Sequence, residues 1–131
     1  MKELSEDIIQ EVFLFIKNLN FDAENKSLVV VEGKRDKVAL RSLGFRGKIL
    51  MLCHRGGMKN LVENTELYRK MVLLLDLDRE GRALTGRAAK LLLGRTRVDL
   101  SYRRELGAIT KGRIRHIEEL GKFKDFIPMV E

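Results

Sequence analysis

One cysteine, one proline and no tryptophan occur among these 131 residues. The lone Cys53 excludes an internal disulfide and any multi-cysteine zinc site. With the one proline in the tail, at Pro128, and no Pro/Ser-rich linker, repeat or low-complexity tract, nothing divides a chain of single-domain length. No apolar run approaches the roughly 20 residues of a membrane span. The N-terminus, MKELSEDIIQEVF, lacks the basic start, apolar middle and small-residue cleavage site of a secretory signal. These absences lead us to expect a cytoplasmic protein without membrane contact. Neither G-x-x-x-x-G-K-[ST] nor G-x-G-x-x-G occurs, so nucleotide binding through those loops is unsupported.

Charge is abundant and unevenly spread. The chain is 44% hydrophobic and 34% charged, with a formal net charge of +7. Residues 1–30 hold three lysines against six acids. Residues 79–115 hold eleven Lys or Arg against Glu80, Asp99 and Glu105. Arginine dominates that block, and its planar fork suits phosphate. The block reads either as a nucleic-acid surface or as a solvated face. The six phenylalanines do not interleave with it, so base stacking is not evident. Contact with RNA or DNA is therefore expected mainly through backbone phosphates, with steep salt dependence.

Periodicity places strands and helices in alternation. Ser5 is a candidate cap for a first helix whose stripe is Ile8, Val12, Phe15, Ile16 and Leu19. SLVVVEG, KILML, MVLLLDLD and the shorter TRVDL read as strands. DKVALRSLG closes a helix at Gly44, CHRGGMKNLVEN is a loop entering a short helix, EGRALTGRAAKLLLG is a helix, and RIRHIEELGKF is the last. Near-continuous aliphatic strands alternating with helices predict an α/β fold: about four strands, mainly parallel, with helices on both faces and an extra N-terminal helix. We divide the chain into an N-terminal helical extension, 1–26, and a domain over 27–131.

Ligands of such sheets bind beyond the carboxyl ends of the strands. The first strand ends in Glu32-Gly33 and the third in Asp76-Leu77-Asp78. Residues two apart on a strand share a side, so Asp76 and Asp78 begin on one face and Leu77 on the other. Crowded carboxylates need protonation or a cation, and magnesium prefers carboxylate oxygen. Gly33 and Gly81 leave room for a phosphate or a water shell. The plainer reading pairs these acids with arginines or makes them helix caps. His54 and His116 lie too far apart in sequence to suggest a metal pair, and Cys53 reads as a small core residue. His54-Arg55-Gly56-Gly57, with Lys59, reads equally as a phosphate loop or a simple turn.

The pair VVVEGKRDKVALRSLG and VLLLDLDREGRAL closely resembles the TOPRIM domain of type IA topoisomerases, bacterial-type primases, OLD-like nucleases and a ribosomal-RNA maturation nuclease. The resemblance spans about residues 27–120 and is closest to stand-alone archaeal, small primase-like TOPRIM proteins, which share segments like Ile117-Glu118-Glu119-Leu120. It implies a Rossmann-like TOPRIM fold in which Glu32, Asp76 and Asp78 are both the magnesium ligands and the catalytic acids. One or two ions would bind, with manganese able to substitute. Glu32 serves as general acid or base if only one ion binds. Lys34, Arg79 and Arg82 are the candidate phosphate contacts, and Asp36 a candidate cap. Arg82 stands where topoisomerases usually carry another acid, and we expect neither a tyrosine domain nor a zinc ribbon beside the core. The expected function is a Mg/Mn-dependent nuclease. The alternatives are a non-catalytic nucleic-acid-binding subunit of a larger assembly, or nucleotidyl transfer with a partner chain; a protein partner or homodimer stays open.

Overall fold

The computed structural model describes residues 6–126, so the Ser5 cap and Pro128 lie outside the described residues. Helix α1 (Glu6–Glu24) leads into β1 (Ser27–Val31), α2 (Lys34–Ser42), β2 (Ile49–Met51), α3 (Gly57–Glu63), β3 (Lys70–Leu73), α4 (Arg79–Leu92), β4 (Arg97–Asp99), α5 (Ser101–Ile109) and a 3-10 helix, Ile117–Phe123. The strands form one all-parallel sheet in the order β2-β1-β3-β4. No helix among the described residues is long and apolar enough to cross a membrane.

Alternation along the strands builds two cores. Val29 and Val31 of β1, with Val72 and Leu74, pack against Val12, Phe15, Ile16 and Leu19 of α1, Ala39 and Leu40 of α2, and Tyr102 and Leu106 of α5. Leu28, Val30, Met71, Leu73 and Leu75 point the other way, onto Leu61 of α3 and Leu84, Ala88 and Leu92 of α4. The α1 stripe is buried as its spacing predicts, except that Ile8 is only partly covered.

Three elements differ from the sequence reading. Helix α5 was not foreseen, although Tyr102, Leu106 and Ile109 recur at helical spacing. Strand β3 ends at Leu73, short of the aspartates, because β1 stops at Val31 and the last bond to it is Leu74 N–H to the Val30 carbonyl, 2.9 Å. The final helix is 3-10 and starts at Ile117, while His116 before it is extended (φ −122°, ψ 128°). Gly44 closes α2 as expected; its φ of +98° is costly for a side chain with a Cβ.

A polar clasp ties α1 to the sheet. Lys70 Nζ lies 2.7 Å from Asp99 Oδ2 and 3.4 Å from Asp22 Oδ2, and the Tyr102 hydroxyl donates to Asp22. Burial opposes the charge on Asp99, but hydrogen bonds from Lys70 and Ser101 outweigh it and hold the carboxyl below the usual range. Its stabilising contribution is thus present above the ordinary aspartate pKa and is lost as pH falls through the depressed one. Lys70→Met should cost about 2–3 kcal/mol at neutral pH, the scale of hydrogen bonds to charged groups. Urea unfolding at pH 7 and at successively lower pH checks this: the loss should shrink as Asp99 becomes protonated and no longer needs the cation.

Candidate metal centre

The sheet order fixes where its strand ends converge. From β1 the chain moves outward to β2, then returns to the other side of β1 at β3, so strand order reverses between β1 and β3. Glu32 follows β1 directly, and the aspartates follow β3. Past the ladder, Leu77 N–H donates to the Arg115 carbonyl at 2.6 Å, holding residues 114–117 beside the aspartates. Asp76 N–H donates to Glu32 Oε2 (3.2 Å), Ile117 N–H to Asp76 Oδ1 (2.8 Å) and Gly81 N–H to Asp78 Oδ1 (2.7 Å). Asp78 thereby caps α4 as well. Leu77 turns into the core beneath.

Asp76, Asp78 and His116 form a donor group. Each offers one ligand atom, and these atoms lie within 4.8 Å of one another. His116 Nε2 stands 3.1 Å from Asp78 Oδ2, and its Nδ1 stands 3.3 Å from Glu119 Oε2. Glu32 sits beside this group, joined through the Asp76 amide. None of Glu32, Asp76 and Asp78 pairs with an arginine among the described residues. Arg103 instead donates from Nε to the Leu75 carbonyl (3.2 Å) and from Nη2 to the Asp76 carbonyl (2.7 Å). The sequence reading missed His116 and Arg103. His116 is 38 residues from Asp78, which no local ligand spacing captures, and Arg103 was one arginine within a block.

Burial raises the pKa of Glu32 and of Asp76, and neighbouring carboxylates add to the shift. Asp78 moves the other way, held down first by the Gly81 amide and then by His116. His116 is raised by its hydrogen bond to Glu119 and by the charges of Asp76 and Asp78. Two carboxylates and an imidazole suit a divalent cation in donor chemistry.

Lys34, in the first turn of α2, and Arg79 and Arg82, in the first turn of α4, are exposed at this same edge. None joins an ion pair among the described residues. Asp36 accepts from Gly33 N–H at 3.0 Å, as a helix-capping acid should. A Cβ on Gly33 would meet nothing within 4 Å, whereas one on Gly81 would lie 2.0 Å from the Asp76 carbonyl oxygen. Gly33 leaves the expected space; Gly81 is needed for close backbone packing. Cys53 is exposed just beyond β2, so it is not the core residue its apolar neighbours suggested. His54, Arg55 and Lys59 are exposed, and Gly57, at the start of α3, packs against the Leu52 carbonyl.

A family model described as Toprim domain matches residues 26–103. A UPF0292 protein of Thermococcus gammatolerans is 40% identical over 98 residues, covering 74% of this chain and 73% of that one. A UPF0292 protein of Pyrococcus furiosus is 37% identical over 97 residues, with the same coverage of 74% and 73%. One from Archaeoglobus fulgidus is 27% identical over 120 residues, 91% of this chain and 94% of that one. A solved structure of a protein from Aquifex aeolicus has a TM-score of 0.69 at 29% identity, covering 81% of this chain and 94% of that chain.

Two measurements probe this geometry. Gly81→Ala should destabilise by about 3 kcal/mol, since backbone must shift to admit the methyl. Gly86→Ala, in the same helix with open space around it, should stabilise by about 0.5–1 kcal/mol. Urea unfolding of both separates packing from helix propensity. Asp76 has a raised pKa, so its ionisation costs stability as pH rises through the folded value. Metal-free Asp76→Asn should therefore melt at or above the wild-type temperature at pH 7, the difference narrowing in acid. Added manganese or magnesium should raise the wild-type melting temperature and barely move the variant.

Proposed function

The chain belongs to the Toprim domain family, and from that premise we propose that it is a divalent-metal-dependent nuclease acting on RNA or DNA. Membership points to a metal-binding function connected with nucleic acids. The observation that carries the finer reading is the donor group of Asp76, Asp78 and His116 at the β1/β3 switch point, with Glu32 beside it. Exposed cations without internal ion pairs flank it.

A magnesium or manganese ion bound there would supply Lewis-acid activation of a phosphodiester and of the attacking water. Asp76 and Asp78 would hold that ion. Glu32 carries the third negative charge at the edge and fixes Asp76 through its amide. Arg79 and Arg82, in the first turn of α4, and Lys34 on α2 receive phosphates flanking the scissile one. Arg103 positions the aspartates by holding the carbonyls of Leu75 and Asp76. Because the cationic residues address phosphates and no aromatic platform accompanies them among the described residues, recognition is of backbone rather than of base sequence.

Highly purified protein should cleave single- or double-stranded RNA or DNA only with magnesium or manganese. Asp76→Asn should lower the rate by orders of magnitude without loss of fold. Binding should weaken steeply with salt, through counterion release. Charge reversal of Arg79, Arg82 and Arg87 together should weaken it for all sequences alike. Salt-sensitive binding with no cleavage under any metal condition would replace the nuclease by a non-catalytic binding subunit. Affinity indifferent to salt would remove nucleic acid from the account.

A further inference from the structure

We infer that His116 is a direct ligand of the ion held by Asp76 and Asp78, giving the centre a nitrogen donor and a preference for manganese or another transition ion over magnesium. The inference rests on the metal reading above and narrows it. The three ligand atoms lie within 4.8 Å of one another, and His116 Nε2 stands 3.1 Å from Asp78 Oδ2, a separation that neighbouring donors on one ion have when each is about 2.2 Å from it.

The imidazole is built into the site. Its neighbours in the chain are both bonded to the Asp-Leu-Asp segment: the Arg115 carbonyl accepts from Leu77 N–H, and Ile117 N–H donates to Asp76 Oδ1. The backbone of His116 is thereby bracketed at the level of the carboxylates. Its ring is oriented in turn by Glu119, whose carboxylate meets Nδ1 and directs Nε2 toward Asp78. A carboxylate on one ring nitrogen with a ligand position on the other is the usual arrangement around metal-binding histidines, where it fixes tautomer and orientation. The side chain is 46% exposed, so an ion and its remaining waters can reach Nε2. Imidazole suits zinc, iron, copper and nickel; manganese also takes oxygen ligands but accepts a nitrogen donor more readily than magnesium, which favours oxygen and retains its water.

Manganese titrated into the full chain, read by calorimetry and by pulsed electron paramagnetic resonance, tests this. Wild type should show modulation from a directly coupled nitrogen. His116→Gln should lose that signal and bind manganese about tenfold or more weakly, with a smaller change in magnesium affinity. Glu119→Gln should keep the nitrogen signal and lose part of the affinity. A melt of each variant verifies folding, and His116→Asn serves should His116→Gln fail it. Manganese bound by wild type and lost in Asp76→Asn, but without nitrogen coupling, would overturn the inference while leaving the metal centre intact. A nitrogen signal persisting in His116→Gln would also overturn it. Failure of wild type to bind manganese at all would remove the centre itself.

Discussion

Like charges crowded at the ends of two adjacent strands must be compensated, and most of the local architecture answers that demand. Two unit charges about 5 Å apart repel by about 3 kcal/mol at an effective dielectric of 20. A hydrogen bond to a charged group contributes about 1.5–3 kcal/mol. Each acid of the edge receives one main-chain N–H: Glu32 from Asp76, Asp76 from Ile117, Asp78 from Gly81. One such bond offsets roughly one repulsive pair. The protein can therefore hold the acids together without an ion, but with no surplus. The directions of the shifts agree: Asp78, at a helix start and beside His116, is easily ionised, whereas Glu32 and Asp76 resist.

Supplying those amides explains details that otherwise look incidental. Strand β3 must stop short, because a ladder continued through Asp76 would use the amides that the carboxylates and the Arg115 carbonyl need. The chain after α5 must run extended past the aspartates, which is why the last helix starts at Ile117 and not at Arg113. The 3-10 helix is anchored at its far side by Leu120 and Phe123 in the core with α2. Gly81 lets the first turn of α4 approach the Asp76 carbonyl closely enough for its N–H to reach Asp78. Arg103 fills the remaining acceptors on that turn without neutralising a carboxylate.

The fold was legible because its signals are local and redundant. Aliphatic runs named the strands, and the α1 stripe is the one that is buried. Glu32-Gly33 and Asp76-Leu77-Asp78 stood out because acids are poor continuations of such strands. What the sequence concealed depends on contacts between distant segments. His116 gains meaning only when residues 114–117 dock on the aspartates. Helix α5 was hidden because Arg103 and Arg104 read as part of the basic block, although Tyr102, Leu106 and Ile109 carry a helical stripe. The two glycines look alike in sequence, but only a backbone 2 Å from a would-be Cβ separates Gly81 from Gly33.

On the proposed function, the distribution of charge imposes an order on binding. A phosphodiester approaching the bare edge meets Glu32, Asp76 and Asp78 within the same few ångströms, and their field repels it. The cations of α2 and α4 stand beside these acids without being consumed by them, since no arginine of the 79–115 block forms an ion pair among the described residues. Pairing them internally would have relieved the acids and removed the attraction for phosphate together. Kept apart, the acids remain available for a cation and the arginines for a polyanion. A divalent ion at the edge changes the local charge by two units, which turns the point of closest approach from repulsive toward attractive. Metal and nucleic acid should then bind with positive coupling, each raising the affinity for the other by the same factor.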